Sequence, residues 1–488
     1  MPNPTALPPP HRAFAELVAQ TAFANPFAPE RAALDRGLME RARELIPGAK
    51  GLSFADAVFE WVEWWGKAGL DRLGRVHADD LQVMRVVFLF DLFHRRLAQF
   101  DALIAAQMEA GAAVAPVPFG AGALEGFARR GFERGESVRL FSIFYQLRRA
   151  HHFVEKALVG RSPVMVDFRR RLWNNVFTAD TKWYSQVFHT RMEDFSTLLL
   201  GATGVGKGAA AAAIGRSGFI PYLPGRGRFA DSFATSFIPI NLAQFPESLI
   251  EAELFGHRKG AFTGAIAAHE GVFAQCSPCG SIFLDEIGEV PGTIQVKLLQ
   301  VLQERWFSPV GSRDKRRFQG RVISATNRPL ASLLDPEGGF REDFFYRVSS
   351  DVVTVPTLRM RLDQDSGELD MLTRHVLTRL AGEFDPAMHA AILEKLHASP
   401  GPNYGWPGNV RELEQAVRRI LLTGDYAPYE RPNPSGDSHL QTRWRRLEFT
   451  ADGLLAEYVG HAKSVLGTLE EAARRLDLDP RTVKKYLK

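Results

Sequence analysis

At 488 residues, with 45% hydrophobic and 24% charged residues, the chain has an ordinary globular composition and the length for about three domains. A formal charge of +4 is too small over that length to mark the whole surface as a nucleic-acid binder, so any basic face must be local. Two cysteines exclude a disulfide framework and fit a reducing cytoplasm. No apolar run reaches the length of a membrane span, and Met1-Pro2-Asn3-Pro4 lacks the basic-then-apolar pattern of a secretion signal.

Residues 1–160 read as a mostly helical regulatory region. Phe59-Glu60-Trp61-Val62-Glu63-Trp64-Trp65 and the apolar run 81–92, too long for one strand, support that reading. Trp61, Trp64 and Trp65 are expected in its core, and His151-His152 on its surface. The Gly/Ala/Pro-rich stretch 111–120 reads as a linker or long loop. No strand–helix alternation with a phosphorylatable Asp marks a receiver domain. The input remains open: a small molecule, a protein, or direct restraint of the rest of the chain.

From Ser162 the pattern changes to strand-length apolar runs alternating with helical stretches, the pattern of a parallel α/β sheet. Phe195-Ser196-Thr197-Leu198-Leu199-Leu200 leads into Gly201-Ala202-Thr203-Gly204-Val205-Gly206-Lys207, a Gly-x-x-x-x-Gly-Lys loop opening a helix. Its backbone N–H groups suit phosphates, and Lys207 would neutralise the β/γ-phosphates of ATP. Position 208 is Gly, where a general phosphate loop carries Ser or Thr for Mg²⁺. Ile282-Phe283-Leu284-Asp285-Glu286 ends a second strand in two acids. Asp285 would hold Mg²⁺ and Glu286 would orient or activate the attacking water. Arg321-Val322-Ile323-Ser324-Ala325-Thr326 is a third strand, ending at Asn327. Ligands of open α/β sheets bind at such strand ends, so the three should converge. Cys276-Ser277-Pro278-Cys279 offers two ligands where zinc wants four, and Pro224-Gly225-Arg226-Gly227-Arg228 has no assigned role.

These motifs, together with Glu253-Leu254-Phe255-Gly256-His257 and Gly260-Ala261-Phe262-Thr263-Gly264-Ala265, resemble the AAA+ ATPase domain of sigma-54-dependent transcription activators. The resemblance covers roughly residues 162–425, implying a 162–365 α/β ATPase subdomain and a 366–425 helical lid. It implies that residues 260–265 contact sigma-54 and that Asn241 occupies the position pairing with the acidic glutamate. It places Asn327 at the sensor I position, and Arg341 and Arg347 as arginine fingers acting in trans within a homo-oligomeric ring, expected to be a hexamer. Trp406-Pro407-Gly408-Asn409-Val410-Arg411-Glu412-Leu413 resembles the sensor II signature, from which Arg411 would reach the nucleotide. In that family Glu is common where this chain has Gly208.

After a linker at 426–445, residues 446–488 read as a small helical unit. Thr468-Leu469-Glu470-Glu471 is a capping box, and Asp479-Pro480 starts a second short helix. Arg481, Thr482, Lys484 and Lys485 are expected to point outward into a DNA major groove. Residues 463–488 hold seven Lys/Arg against four Asp/Glu, the local basicity hidden in the whole-chain charge. The segment resembles the Fis-type helix-turn-helix. The chain is thus expected to be a cytoplasmic activator that binds upstream DNA and remodels sigma-54 RNA polymerase holoenzyme using ATP and Mg²⁺. Two other readings stay open: a DNA-binding regulator with a degenerate, non-hydrolysing ATPase domain, and a general AAA+ remodelling ATPase.

Overall fold

Five strands build the central sheet in a computed structural model that describes residues 5–46, 51–335, 339–428 and 449–487. Numbering only the strands of this sheet, they are β1 (Thr197–Leu200), β2 (Phe237–Asn241), β3 (Ser281–Asp285), β4 (Arg321–Thr326) and β5 (Asp351–Thr354). All neighbours run parallel, in the order β2-β3-β4-β1-β5. The near-continuous apolar strands follow from burial on both faces. Leu199, Phe283, Ile323 and Val353 enter one hydrophobic cluster, while their neighbours Leu198, Leu200, Ile282, Leu284 and Val322 enter another. The two-residue period of a strand makes that division. Register sets Leu200 against Thr326 and Asn241 against Asp285, so the strand ends align along one edge.

The first cluster also contains the helical layer formed by residues 9–177. Phe141, Val154, Phe168 and Val176 share it with Ala210 and Ile214 of the helix Lys207–Gly215. The expected helices are present, among them Phe54–Lys67, Leu81–His94 and Arg134–Ala157. Trp61 and Trp65 are buried, but Trp64 is 52% exposed and stacks on His11 at 5.1 Å. Trp64 departs from the expected core: at i+3 it lies at the edge of the face that Trp61 and Trp65 bury, and its ring is covered on one side by His11.

The stretch 111–120 is a loop fixed against its surroundings. The Gln107 amide donates to the Ala113 carbonyl at 2.7 Å and accepts from Ala115 N–H at 2.9 Å, while Val117 N–H donates to Gly227 O at 2.8 Å. That last contact explains the unassigned residues 224–228. They form the turn between Tyr222–Leu223 and Arg228–Phe229, a hairpin whose Phe229 ring lies 4.1 Å from Tyr145 and whose Tyr222 ring lies 4.9 Å from Phe141.

Four helices, Leu358–Gln364, Glu368–Ala381, Pro386–Ala398 and Asn409–Thr423, enclose a separate core around Leu372, Trp406 and Leu413. Its buried ion pair, Arg361 with Glu368 at 2.6 Å, also takes the N–H groups of Arg161 and Ser162. Burial opposes ionisation of Glu368, yet Ser162 N–H and Arg361 hold its pKa below the usual value.

The expected linker lies mostly outside the described residues. Residues 427–488 form a second unit with helices Ala451–Leu466, Leu469–Leu476 and Pro480–Tyr486 around Val459, Ala473 and Val483. Among the described residues, no helix is long and apolar enough to cross a membrane.

Candidate nucleotide site and loop

The sequence 201–206 turns sharply between β1 and the helix Lys207–Gly215. Gly204 and Gly206 take φ of +81° and +106°, which a residue with a Cβ adopts only with strain. Lys207 is buried and reaches back across the loop, donating to Gly201 O at 2.9 Å and Ala202 O at 3.4 Å. Burial lowers its pKa, the carboxylates of Glu286 and Asp285 oppose that shift, and Arg411 adds to it. Four residues from three stretches of the sequence thus share one electrostatic environment.

Asp285 ends β3, and Glu286 follows in the left-handed region at φ +54°. Such a conformation is uncommon for a non-glycine residue, and at a strand end it re-aims the side chain. Glu286 N–H donates to Asp285 Oδ1 at 3.1 Å, and Asn327 N–H donates to Glu286 Oε2 at 3.4 Å. Asn327 therefore reaches Glu286 through its backbone. Asn241 sits beside Asp285 in register, but its side-chain oxygen accepts from Ala243 N–H at 3.0 Å and caps the following turn. The oxygens of Asp285 and Glu286 are hard donors of the kind Mg²⁺ selects, and the glycine loop leaves room for phosphate.

From the lid side, Asn409 bridges two elements. Its amide donates to Thr203 O at 3.1 Å and accepts from Leu358 N–H at 2.9 Å, while Arg411 N–H meets Gly204 O at 3.4 Å. A Cβ at Gly204 would run into the Gly408 carbonyl. Arg411 stands out in the sequence as the nucleotide-facing residue of this segment, and Asn409 does not. The available signal was an Asn after Pro-Gly at a helix start, which suits its φ of +54°. Val205 is buried, Ala202 and Thr203 are exposed, and Gly208 is exposed, with Phe283 no nearer than 4.0 Å to where its Cβ would stand.

The two arginines of 340–347 differ. Arg341 precedes the helix Glu342–Val348, is half-exposed and pairs with Asp343 at 3.1 Å. Arg347 donates to Leu302 O through Nε at 2.9 Å and Nη2 at 2.6 Å. One guanidinium faces solvent and the other is tied to its own chain.

Residues 260–265 form a closed turn, with Gly260 N–H donating to Ala265 O at 2.8 Å and Ala265 N–H to Phe262 O at 3.0 Å. Gly260 and Gly264 supply positive φ; Ala261 is half-buried, Ala265 is buried, and Thr263 is exposed. Phe262 is only 38% exposed, because its ring rests 4.9 Å from His257. Ile266, absent from the motif, is 83% exposed and gives the tip its most open apolar side chain. Ahead of β3, burial first and Asp231 second push the Cys276 and Cys279 thiols up to about 12 and about 11.

In the C-terminal unit, Thr468 accepts from Glu471 N–H at 3.2 Å and Asp479 from Arg481 N–H at 2.8 Å, the two expected caps. Arg481, Lys484 and Lys485 are exposed, Thr482 is half-buried, and Val483 is fully buried.

A parallel sheet with a glycine phosphate loop, an acidic strand end and a helical lid defines an AAA+ ATPase fold. Residues 178–354 match the Sigma-54 interaction domain and residues 365–427 the AAA+ ATPase lid domain. The chain is 40% identical over 295 residues to the nitrogen fixation protein VnfA of Azotobacter vinelandii, covering 60% of this chain and 50% of that one. It is 34% identical over 341 residues to the transcriptional regulatory protein ZraR of Klebsiella oxytoca, covering 67% of each. With the DNA-binding transcriptional regulator NtrC of Azospirillum brasilense it shares 36% identity over 265 residues, 54% of this chain and 47% of that one. The chain belongs to the family of sigma-54-dependent transcriptional regulators. It spans about half the length of VnfA and NtrC.

Proposed function

We propose that the chain is a cytoplasmic, ATP-hydrolysing activator that binds upstream DNA and remodels sigma-54 RNA polymerase. The observation that carries this reading is the convergence of Lys207, Asp285, Glu286 and Arg411 at one edge of the sheet. In this role Lys207 and the N–H groups of 201–208 bind the phosphates, Glu286 positions water, and Arg411 links the lid to the nucleotide. Asp285 is the residue suited to hold Mg²⁺, which when bound neutralises phosphate charge. Arg341, exposed on the surface, serves a neighbouring subunit's site in a hexameric ring. Arg347 joins it only if its bonds to Leu302 open. Asn241 and Asn327 sense the strand-end carboxylates through short local movements. Phe262 and Thr263, with Ile266 beside them, dock on sigma-54. Arg481, Thr482, Lys484 and Lys485 face DNA.

The test is reconstituted transcription from a sigma-54 promoter, with ATP turnover measured on the same preparation. Glu286→Gln should lose both activities. Thr263→Ala should keep turnover and lose open-complex formation. Wild-type protein that turns over ATP without opening the promoter would favour a general remodelling ATPase. A non-hydrolysing regulator is the alternative favoured by Gly208, and absence of Mg²⁺-dependent phosphate release would establish it.

A further inference from the structure

The helical layer contains a cavity of about 600 Å³ among the helices Pro9–Phe23, Leu81–His94, Arg134–Ala157, Pro163–Phe177 and Thr181–Gln186. That volume falls within the few hundred to about 1,000 Å³ usual for small-molecule sites, and the lining is mainly apolar, as such sites are. Leu89, Phe93, Ile143 and Trp173 supply apolar walls.

The polar groups in the lining select among ligands. Arg31 pairs with Asp35 at 2.8 Å, Arg148 with Asp101 at 2.6 Å, and Arg85 with Glu136. Lys182 differs. It is exposed at the cavity, its ammonium lies 4.8 Å from the Phe23 ring, and no carboxylate among the described residues pairs with it. His94 stacks on Phe90 at 3.8 Å, and its Nδ1 lies 3.0 Å from Phe90 O, so Nε2 is left as an acceptor in the neutral ring. Burial keeps that ring neutral, pushing its pKa down to about 4. A cation without a carboxylate partner beside apolar walls fits an anionic ligand with an apolar body.

The same walls reach the far end of the phosphate-loop helix. Tyr184 lines the cavity, and its hydroxyl donates to Gln146 Oε1 at 2.9 Å. The Gln146 amide donates to Ser217 O at 2.8 Å, and Arg149 donates to Arg216 O at 2.9 Å and Gly218 O at 2.6 Å. Those carbonyls follow directly after the helix Lys207–Gly215, whose other end is the phosphate loop. Leu140, Ile143 and Leu147 on the helix Arg134–Ala157 line the cavity, while Gln146 and Arg149 of that helix hold these carbonyls.

We propose that this cavity is an effector site for a small aromatic or aliphatic molecule bearing one anionic group. The helix Arg134–Ala157 transmits its occupancy to the phosphate-loop helix. The binding half stands by itself; the transmission half rests on the ATPase reading. By linkage, ligand and nucleotide must then change each other's affinity by the same factor.

The test is fluorescence titration of the full chain with 1-anilinonaphthalene-8-sulfonate, an aromatic anion, without nucleotide. Saturable uptake of one probe per chain is expected. Leu89→Trp, which fills the cavity from a half-buried position, should weaken uptake more than tenfold. Lys182→Glu, at an exposed position, should weaken it several-fold and remove its salt dependence. If Leu89→Trp fails to fold, Lys182→Glu decides the matter. Uptake that is unsaturable, unchanged in both variants, or displaced one-for-one by ADP overturns the site. Saturating probe should then change ATP turnover in wild type and leave Leu89→Trp unaffected; a wild-type rate indifferent to bound probe overturns the transmission. A chain that takes up the probe but hydrolyses no ATP defeats the ATPase reading alone.

Discussion

The two ends of the helix Lys207–Gly215 are held by different means. At its start the chain is shaped by positive-φ glycines and by the Gly408 carbonyl packed against Gly204, with one side-chain bond from the lid, Asn409 to the Thr203 carbonyl. Beyond its end, three successive carbonyls are taken by the side chains of Gln146 and Arg149 from the helical layer. Arg149 is fully buried, with its guanidinium 4.6 Å from the Tyr145 ring, and its positive charge suits a helix C-terminus. The front end leaves a glycine loop with room for a ligand. The back end is a fixed grip, and a fixed grip is where another domain's state can be felt.

This contrast is broken most decisively by one substitution at each end. Lys207→Ala should lower ATP turnover by roughly 10²–10³-fold, the usual loss when one preorganised charge is removed from a site. The same change should alter unfolding little, because the carbonyls it releases, Gly201 O and Ala202 O, lie on a loop open enough for water to take the ammonium's place. Arg149→Leu should do the reverse. It leaves two part-buried carbonyls unpaired, costing about 2–4 kcal/mol in denaturant unfolding of residues 5–426. A loss below about 1 kcal/mol would mean that water replaces the guanidinium and that the grip is not fixed.

The same contrast explains what was legible in the sequence. The front end is spelled in contiguous residues because a phosphate loop needs glycine at set offsets, so Gly204, Gly206, Lys207, Asp285 and Glu286 could be read directly. The back end depends on pairings across long sequence separations. Gln146 and Arg149 are ordinary polar residues in an amphipathic helix, and nothing local says that they are buried. For the same reason the hairpin around 224–228 had no account, since its aromatic partners Phe141 and Tyr145 lie far upstream. The local fate of Arg347 was equally hidden, because its acceptor is a backbone carbonyl at Leu302.

A smaller effect sharpens the front-end half. Asn409→Ala removes hydrogen bonds to Thr203 O and Leu358 N–H, and places alanine at φ +54°. Together these should loosen the lid by about 1–3 kcal/mol, read as faster amide exchange at Leu358. Asn409→Gly keeps the backbone conformation and loses only the bonds, so it should fall between. Equal exchange in all three proteins would show that the lid is held by its apolar contacts instead.

The smallest effect belongs to Gly208. Its backbone is helical, the residue is exposed, and a Cβ would come no closer than 4.0 Å to Phe283. Space therefore does not impose the glycine. Gly208→Thr should fold normally and gain a few tenths of a kcal/mol from helix propensity, since glycine is the poorest ordinary residue in a helix. A hydroxyl at this position is the group a general phosphate loop offers to Mg²⁺. The Mg²⁺ concentration giving half-maximal ATP turnover should accordingly fall a few-fold, with little change in the maximal rate. An unchanged Mg²⁺ dependence would mean that Asp285 and water already complete the ion's shell. A sharp loss of turnover would mean instead that the absent side chain at 208 is itself needed for the loop to close on nucleotide.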